Sequence, residues 1–239
     1  MNRVLTPMFL ISAGFLTLLS PSQMSAVDKG KIDARLRNSG LVMKEAMQIH
    51  SHIPQKLVDN AYCVIVIPSV LKGALGFGGS YGRGAMTCRG GGDFQGNWGA
   101  PTMMALEGGS FGFQIGGQAT DFVFLVMDER GARSILSSKF KFGGDAAASA
   151  GPVGRNLQAN LDLYLRTSIL SYSRSRGLFG GVSLDGSTLR PDNKGNRVLY
   201  GKKVSATDVV LESIVPIPAP AEDLVSTLNG RGLKTKDSK

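Results

Sequence analysis

Tyr62-Cys-Val-Ile-Val-Ile-Pro68 decides the fold. The run is short, apolar and β-branched, and a proline closes it, so it reads as a strand. Asp121-Phe-Val-Phe-Leu-Val-Met127 reads as a buried strand. Between them, residues 73–99 are rich in glycine and predict hairpins, with Gly90-Gly91-Gly92-Asp93 as a loop. Met103–Leu106 and Phe111–Ile115 predict strand segments around Gly108-Gly109. Gly-Gly-Ser-Tyr-Gly at 78–82 returns as Gly-Gly-Ser-Phe-Gly at 108–112, the mark either of two equivalent hairpin segments or of coincidence in a glycine-rich chain.

Outward from this centre, Asp28–His52 has a helical pattern in which Ile32, Leu36, Met43 and Met47 form one apolar stripe. Lys29, Lys31, Arg35, Arg37 and Lys44 decorate the other sides, opposed only by Asp28, Asp33 and Glu45. Asn38-Ser39-Gly40 predicts a break or kink, and a second short helix is expected over Gln55–Ala61. On the other side, Asp128–Ser138 turns helical, and Ala159–Arg166 alternates like a half-buried strand. Ile169–Arg176 and Leu178–Leu184 predict an antiparallel pair around Gly177. Ser187–Lys194 reads as a polar loop and Arg197–Tyr200 as a last strand. Pro216–Pro220 is a stiff linker before a short helix with Glu222 and Asp223 in its first turn and Asn229-Gly230 as its stop. Strands in the middle with helices at both ends make an α+β fold. Its glycine-rich antiparallel sheets are expected to pack as a sandwich or a partly closed barrel, with N-terminal helices and a short C-terminal helix.

The 239 residues are 42% hydrophobic and 19% charged, which suits one sizeable domain and excludes a disordered chain. Residues 1–26 read as a secretory signal: Arg3 supplies the positive start, Met8–Leu19 the apolar core, and Ser20, Ser22, Ser25 and Ala26 small residues for cleavage. An uncleaved anchor is the alternative, although the run is short for a membrane span. Export, to the periplasm or beyond, disfavours nucleic acid as the partner of the net charge of +9. The two cysteines, Cys63 and Cys88, are then either one disulfide or two separate buried thiols.

Catalytic and metal signals are weak. Both glycine echoes match G-x-S-x-G, with Ser80 or Ser110 as nucleophile, but that chemistry needs a strand–turn–helix elbow and a histidine base. His50 and His52 lie upstream, and their spacing on a helix points them apart rather than at one ion. No cysteine pair or histidine pair has metal-ligand spacing, no glycine loop has the phosphate-cradling pattern, and no cofactor is implied. A basic amphipathic helix suits an anionic membrane interface, but composition alone favours a helix docked on the core with its charges in water. Arg174 and Arg176 share one strand face as a second basic pair.

Read in order, Ala61–Pro68, Gly76–Gly84 (GFGGSYGRG), Trp98 with Pro101 (WGAP), Gly108–Gly117 (GGSFGFQIGG), Asp121–Met127, Gly143–Gly154 (GGDAAASAGPVG) and Ser171–Ser187 (SYSRSRGLFGGVSLDGS) resemble the SYLF-domain family. The likeness runs to Tyr200-Gly201. It implies a phospholipid-binding module over 27–215, followed by a linker, short helix and basic tail over 216–239. It also implies that the G-x-S-x-G matches are structural glycines and that the protein is not an enzyme. Some eukaryotic members of that family also bind actin. Family lipid binding is associated with the basic N-terminal helix. The resemblance therefore implies that Lys29, Lys31, Arg35, Arg37 and Lys44 hold an anionic phospholipid surface, with Ile32, Leu36, Met43 and Met47 inserting or bracing. A protein partner is the alternative.

Overall fold

The computed structural model describes residues 21–48, 53–75, 77–110, 119–137, 139–144, 148–152, 164–175, 178–181, 184 and 186–230. Helices α1 (Pro21–Gln48) and α2 (Gln55–Asn60) lead into the central strands β1 (Cys63–Leu75), β2 (Phe77–Cys88), β3 (Thr102–Ser110) and β4 (Ala119–Val126). Helix α3 (Glu129–Ser137) follows, then β5 (Phe140–Lys141), β6 (Ala148–Ala150), β7 (Ile169–Ser175), β8 (Leu178–Gly181) and β9 (Ser187–Pro191). Helices α4 (Asn193–Tyr200), α5 (Ala206–Val210) and α6 (Glu222–Leu228) close the chain.

The nine strands among the described residues join one curled sheet in the order β5-β9-β3-β2-β1-β4-β7-β6, with β8 also paired to β7. It is the partly closed barrel of the two expected architectures. Every pairing is antiparallel except β6 with β7. Among the described residues the outermost strands β5, β6 and β8 are short, two, three and four residues long.

Alternation along the strands divides the core in two. On one face Val64, Val66, Ala85, Met103, Val123, Leu125, Leu170 and Tyr172 pack against α1, α2, α4 and α6. On the other, Ile65, Ile67, Met86, Met104, Phe122, Phe124 and Ile169 pack against α3, α5, Phe140 and Phe142. Strands covered on both faces read as unbroken apolar runs, which is why Tyr62–Ile67 and Asp121–Met127 carried no polar alternation. Cys63 and Cys88 sit opposite each other in the β1–β2 ladder and are joined in a disulfide.

The glycines of β2 answer a bulge in β1. Register shifts between Val66 and Leu71, where Pro68 lacks a ladder donor and Ser69 takes φ 51°. The amide of Ser69 is held by Asp121 Oδ1 at 2.8 Å. The bulge lies directly over β2, where a Cβ at Gly84 would sit 1.9 Å from the Val66 carbonyl oxygen and one at Gly82 2.6 Å from a Val70 methyl. The echoed glycine segments pair with each other, Gly78 with Ser110, Gly79 with Gly109 and Ser80 with Gly108, as neighbouring strands of one sheet.

Several local expectations are corrected. α1 runs unbroken through Asn38-Ser39-Gly40: the Ser39 hydroxyl is satisfied within the helix by the Arg35 carbonyl at 2.9 Å, and Gly40 lets α6 pack against it. A Cβ there would be 3.0 Å from Asp223 Cβ and the Leu224 amide. The expected loop at Ser187–Lys194 contains β9, and the expected strand Arg197–Tyr200 belongs to α4. The stop and start signals were present: Asp192 accepts from the Gly195 amide at the N-cap, and Gly201 takes the left-handed C-cap conformation. The linker at Pro216–Pro220 runs into a 3-10 turn, Ala219–Ala221, that buries Ala221. Phe111–Ile115 and most of Ala159–Arg166 lie outside the described residues; of the latter, Tyr164 and Leu165 are helical rather than extended.

Gly84→Ala is expected to destabilise the fold by about 3 kcal/mol or to prevent folding, since only backbone could yield. Gly92→Ala, where a Cβ meets nothing within 4 Å, should stay within about 0.5 kcal/mol of the parent. Urea melts of the two variants against the parent check both expectations.

Candidate functional site

α1 lies across the first face of the sheet, and its stripe is spent there. Leu36 and Met43 are fully buried, Ile32 is 4% exposed, and Met47 packs partly buried against the same core. The stripe braces the helix on the sheet and is not presented outward. The cations of α1 face the other way: Lys31, Arg37 and Lys44 are exposed, while Lys29 and Arg35 are half-buried. Lys29 is tied to Asp33 one turn on, at 2.5 Å.

Two α1 cations meet two others that the helical pattern alone could not reveal. Lys31, Arg35, Arg83 and Lys194 line a cleft of about 130 Å³ with Asp28, Ile32, Gly195 and Val198. Arg83 comes from β2 and Lys194 from the first turn of α4. α4 is fixed to β3 by Asn196, whose Oδ1 accepts from the Met103 amide at 2.7 Å and whose Nδ2 donates to Thr102 Oγ1 at 2.7 Å. The Asp192 amide also donates to the Met103 carbonyl at 2.8 Å, so Lys194 is carried on a rigid element. Arg83 stands between Asp192, 3.5 Å from its Nη1, and Tyr81, whose hydroxyl accepts from its Nε. Among the described residues no carboxylate pairs with Lys31, Arg35 or Lys194.

A second cavity of about 240 Å³ lies beside the first and shares Arg35 and Arg83 with it as lining residues. It opens onto Pro68, Ser69, Leu71 and Tyr81, where the bulged end of β1 projects. Leu71 pairs with Tyr81 across the ladder, so both side chains lie on the same face. They are 64% and 44% exposed, an apolar rim at the mouth of a basic cleft.

Of the second basic pair, Arg174 is engaged with carboxylates. Arg174 bonds Asp121 through Nε at 2.8 Å and Nη2 at 2.7 Å, and it is also ion-paired to Glu45 of α1. It latches α1 to the sheet, and burial lowers its pKa from the ordinary arginine value. Arg176, His50 and His52 lie outside the described residues. Ser80 sits within β2 opposite Gly108 and donates to its carbonyl at 3.4 Å, a ladder position rather than a strand–turn–helix elbow. Among the described residues, no group of three or more His, Cys, Asp or Glu side chains is placed to hold a metal ion. Nor is any described helix long and apolar enough to cross a membrane.

Beside the cleft, Glu107 is held below the usual carboxylate range, first by its hydrogen bond from Arg190, with the charges of Arg190, Lys139 and Arg83 adding and burial opposing. The same pairing raises the pKa of Arg190.

Residues 107–231 match the profile of the family described as Ysc84, Las17-binding protein actin regulator. SH3 domain-containing YSC84-like protein 1 of Rattus norvegicus is 29% identical over 211 residues, covering 83% of this chain and 59% of its own length. Protein YSC84 of Saccharomyces cerevisiae is 30% identical over 215 residues, covering 89% of this chain and 45% of its own. LAS seventeen-binding protein 3 of the same species is 28% identical over 222 residues, at 92% and 47%. The chain thus spans about half the length of the curated relatives it matches.

The Glu107 shift fixes a sign. Its folded pKa is depressed, so the pair stabilises the fold above the unfolded glutamate value of about 4.3 and stops doing so as pH falls through the lower folded value. A carboxyl-detected NMR titration should place the Glu107 midpoint below that of a free glutamate side chain, and Arg190→Gln should move it upward. A midpoint unmoved by Arg190→Gln would contradict the pairing.

Proposed function

The chain belongs to the Ysc84 family, whose members carry the SYLF domain, and from that premise we propose that it is a binding module rather than a catalyst. Its work is reversible attachment to anionic phospholipid membranes through the basic side of α1 and the cleft beside it. One observation carries this reading: the apolar stripe of α1 is buried in the core, while its cations lie on the other side and two of them, Lys31 and Arg35, join Arg83 and Lys194 in a cleft. Attachment is then electrostatic, with Lys31, Arg35, Arg37 and Lys44 as the main contributors and Lys29 reduced by its bond to Asp33. Each cation near such a surface contributes about 1 kcal/mol, weakened by salt.

Export is part of the proposal. The Cys63–Cys88 disulfide supports it, because such bonds persist in oxidising compartments. Fractionation of the source cells should find the protein beyond the cytoplasmic membrane; a reduced cytoplasmic pool would contradict export.

A second reading has its own support. The family description and the yeast relatives' names point to Las17 and actin, so the same cations could meet an acidic protein surface instead of a bilayer.

Co-sedimentation separates the two. Binding to anionic but not neutral vesicles is expected, falling with added salt. Replacing Lys29, Lys31, Arg35, Arg37 and Lys44 by Gln should weaken it by more than about tenfold at low salt. Unchanged vesicle binding in that variant would remove the assignment to α1, and pelleting with actin filaments alone would shift the function to a protein partner.

A further inference from the structure

The cleft between α1, β2 and α4 has more specific chemistry than a charged surface. We propose that Lys31, Arg35, Arg83 and Lys194 form a subsite for a terminal phosphate group, with Leu71 and Tyr81 as the apolar lip against which the rest of the ligand lies. The inference rests on reading the cleft as an anion-binding surface, and it adds which anion.

Size selects a group rather than a whole molecule. About 130 Å³ holds roughly four waters and is well short of the ~300 Å³ at which pockets enclose small ligands. Charge selects a dianion: four cations converge, opposed by Asp28 at the cleft wall and by Asp192 at Arg83. Two of the four are arginines, whose planar donors match phosphate oxygens in pairs. Asp192 and Tyr81 hold Arg83 in place, so less ordering is left for the ligand to impose. The neighbouring cavity of about 240 Å³, lined by Arg35, Arg83, Leu71 and Tyr81, offers room for the organic part. A phosphomonoester lipid headgroup or a soluble phosphate ester would present the same terminal group.

The test uses the full chain with vesicles of phosphatidic acid or of phosphatidylglycerol, matched for surface charge, and inorganic phosphate followed by amide NMR shifts. The parent should bind phosphatidic acid vesicles about fivefold more tightly, one cation's worth of extra contact. Lys31 and Lys194 are exposed and unpaired among the described residues, so K31Q/K194Q should fold normally. It should bind both vesicles alike, while the charge-matched control R37Q/K44Q weakens both and keeps the preference. Preference lost only in K31Q/K194Q supports the subsite with lipid as its source. Phosphate-induced shifts at Arg83 and Lys194 without vesicle binding support it with a soluble source and end the membrane reading. Equal binding to both vesicles without phosphate shifts overturns the subsite and leaves the membrane reading standing. A preference kept by K31Q/K194Q overturns its placement. Absence of vesicle binding together with absence of shifts overturns both.

Discussion

The central strands are apolar on both faces, so water must be kept from both, and on the first face α1 is one of the helices that do it. Undocking α1 would bare its own buried Ile32, Leu36, Val42 and Met43 and uncover what it packs against on β1, β2 and α6, at roughly 1.5–3 kcal/mol for each large side chain bared. A membrane could take over the contacts of the helix but not those of the sheet it left behind. Against that cost stand attractions of about 1 kcal/mol per cation. Burial of these side chains therefore keeps α1 docked, helped by the Arg174 latch to Asp121 and Glu45.

The rest of the site follows from this commitment. With its stripe spent, α1 offers only charge, and the charge gains direction because two other elements contribute to it. The N-terminal turn of α4 reaches the cleft because Asn196 and Asp192 pin that helix to β3. Arg83 reaches it from between two glycines whose missing side chains make room for the β1 bulge. The same bulge carries β1 out to Leu71, so one irregularity supplies both the crowding that demands Gly82 and Gly84 and the exposed lip of the cleft.

Much of the fold was legible because its strands were extreme. Cys63–Ile67 and Phe122–Val126 are buried on both sides and could hardly be misread, and the short helix Glu222–Leu228 announced itself by acidic residues at its start. α4 was misread because Asn-Lys-Gly-Asn-Arg-Val looks like a loop followed by a short strand; its Asp192 and Gly201 caps needed to be read together. The unbroken α1 was missed because Gly40, which weakens a helix locally, serves its contact with α6. For the site, periodicity located Lys31 and Arg35, but Arg83 and Lys194 join them only through the β2–β3–β9 pairing, which no local pattern contains.

The claim that matters most is that α1 meets its partner while docked. Hydrogen exchange on the protein, free and bound to anionic vesicles, tests it directly. Amides around Leu36–Met43 should stay as protected on the vesicle as in solution, with new protection confined to the cleft and its Leu71–Tyr81 lip. Loss of protection in β1 and β4 on binding, with α1 remaining helical, would mean that the helix leaves the sheet to insert its stripe, and would contradict the account.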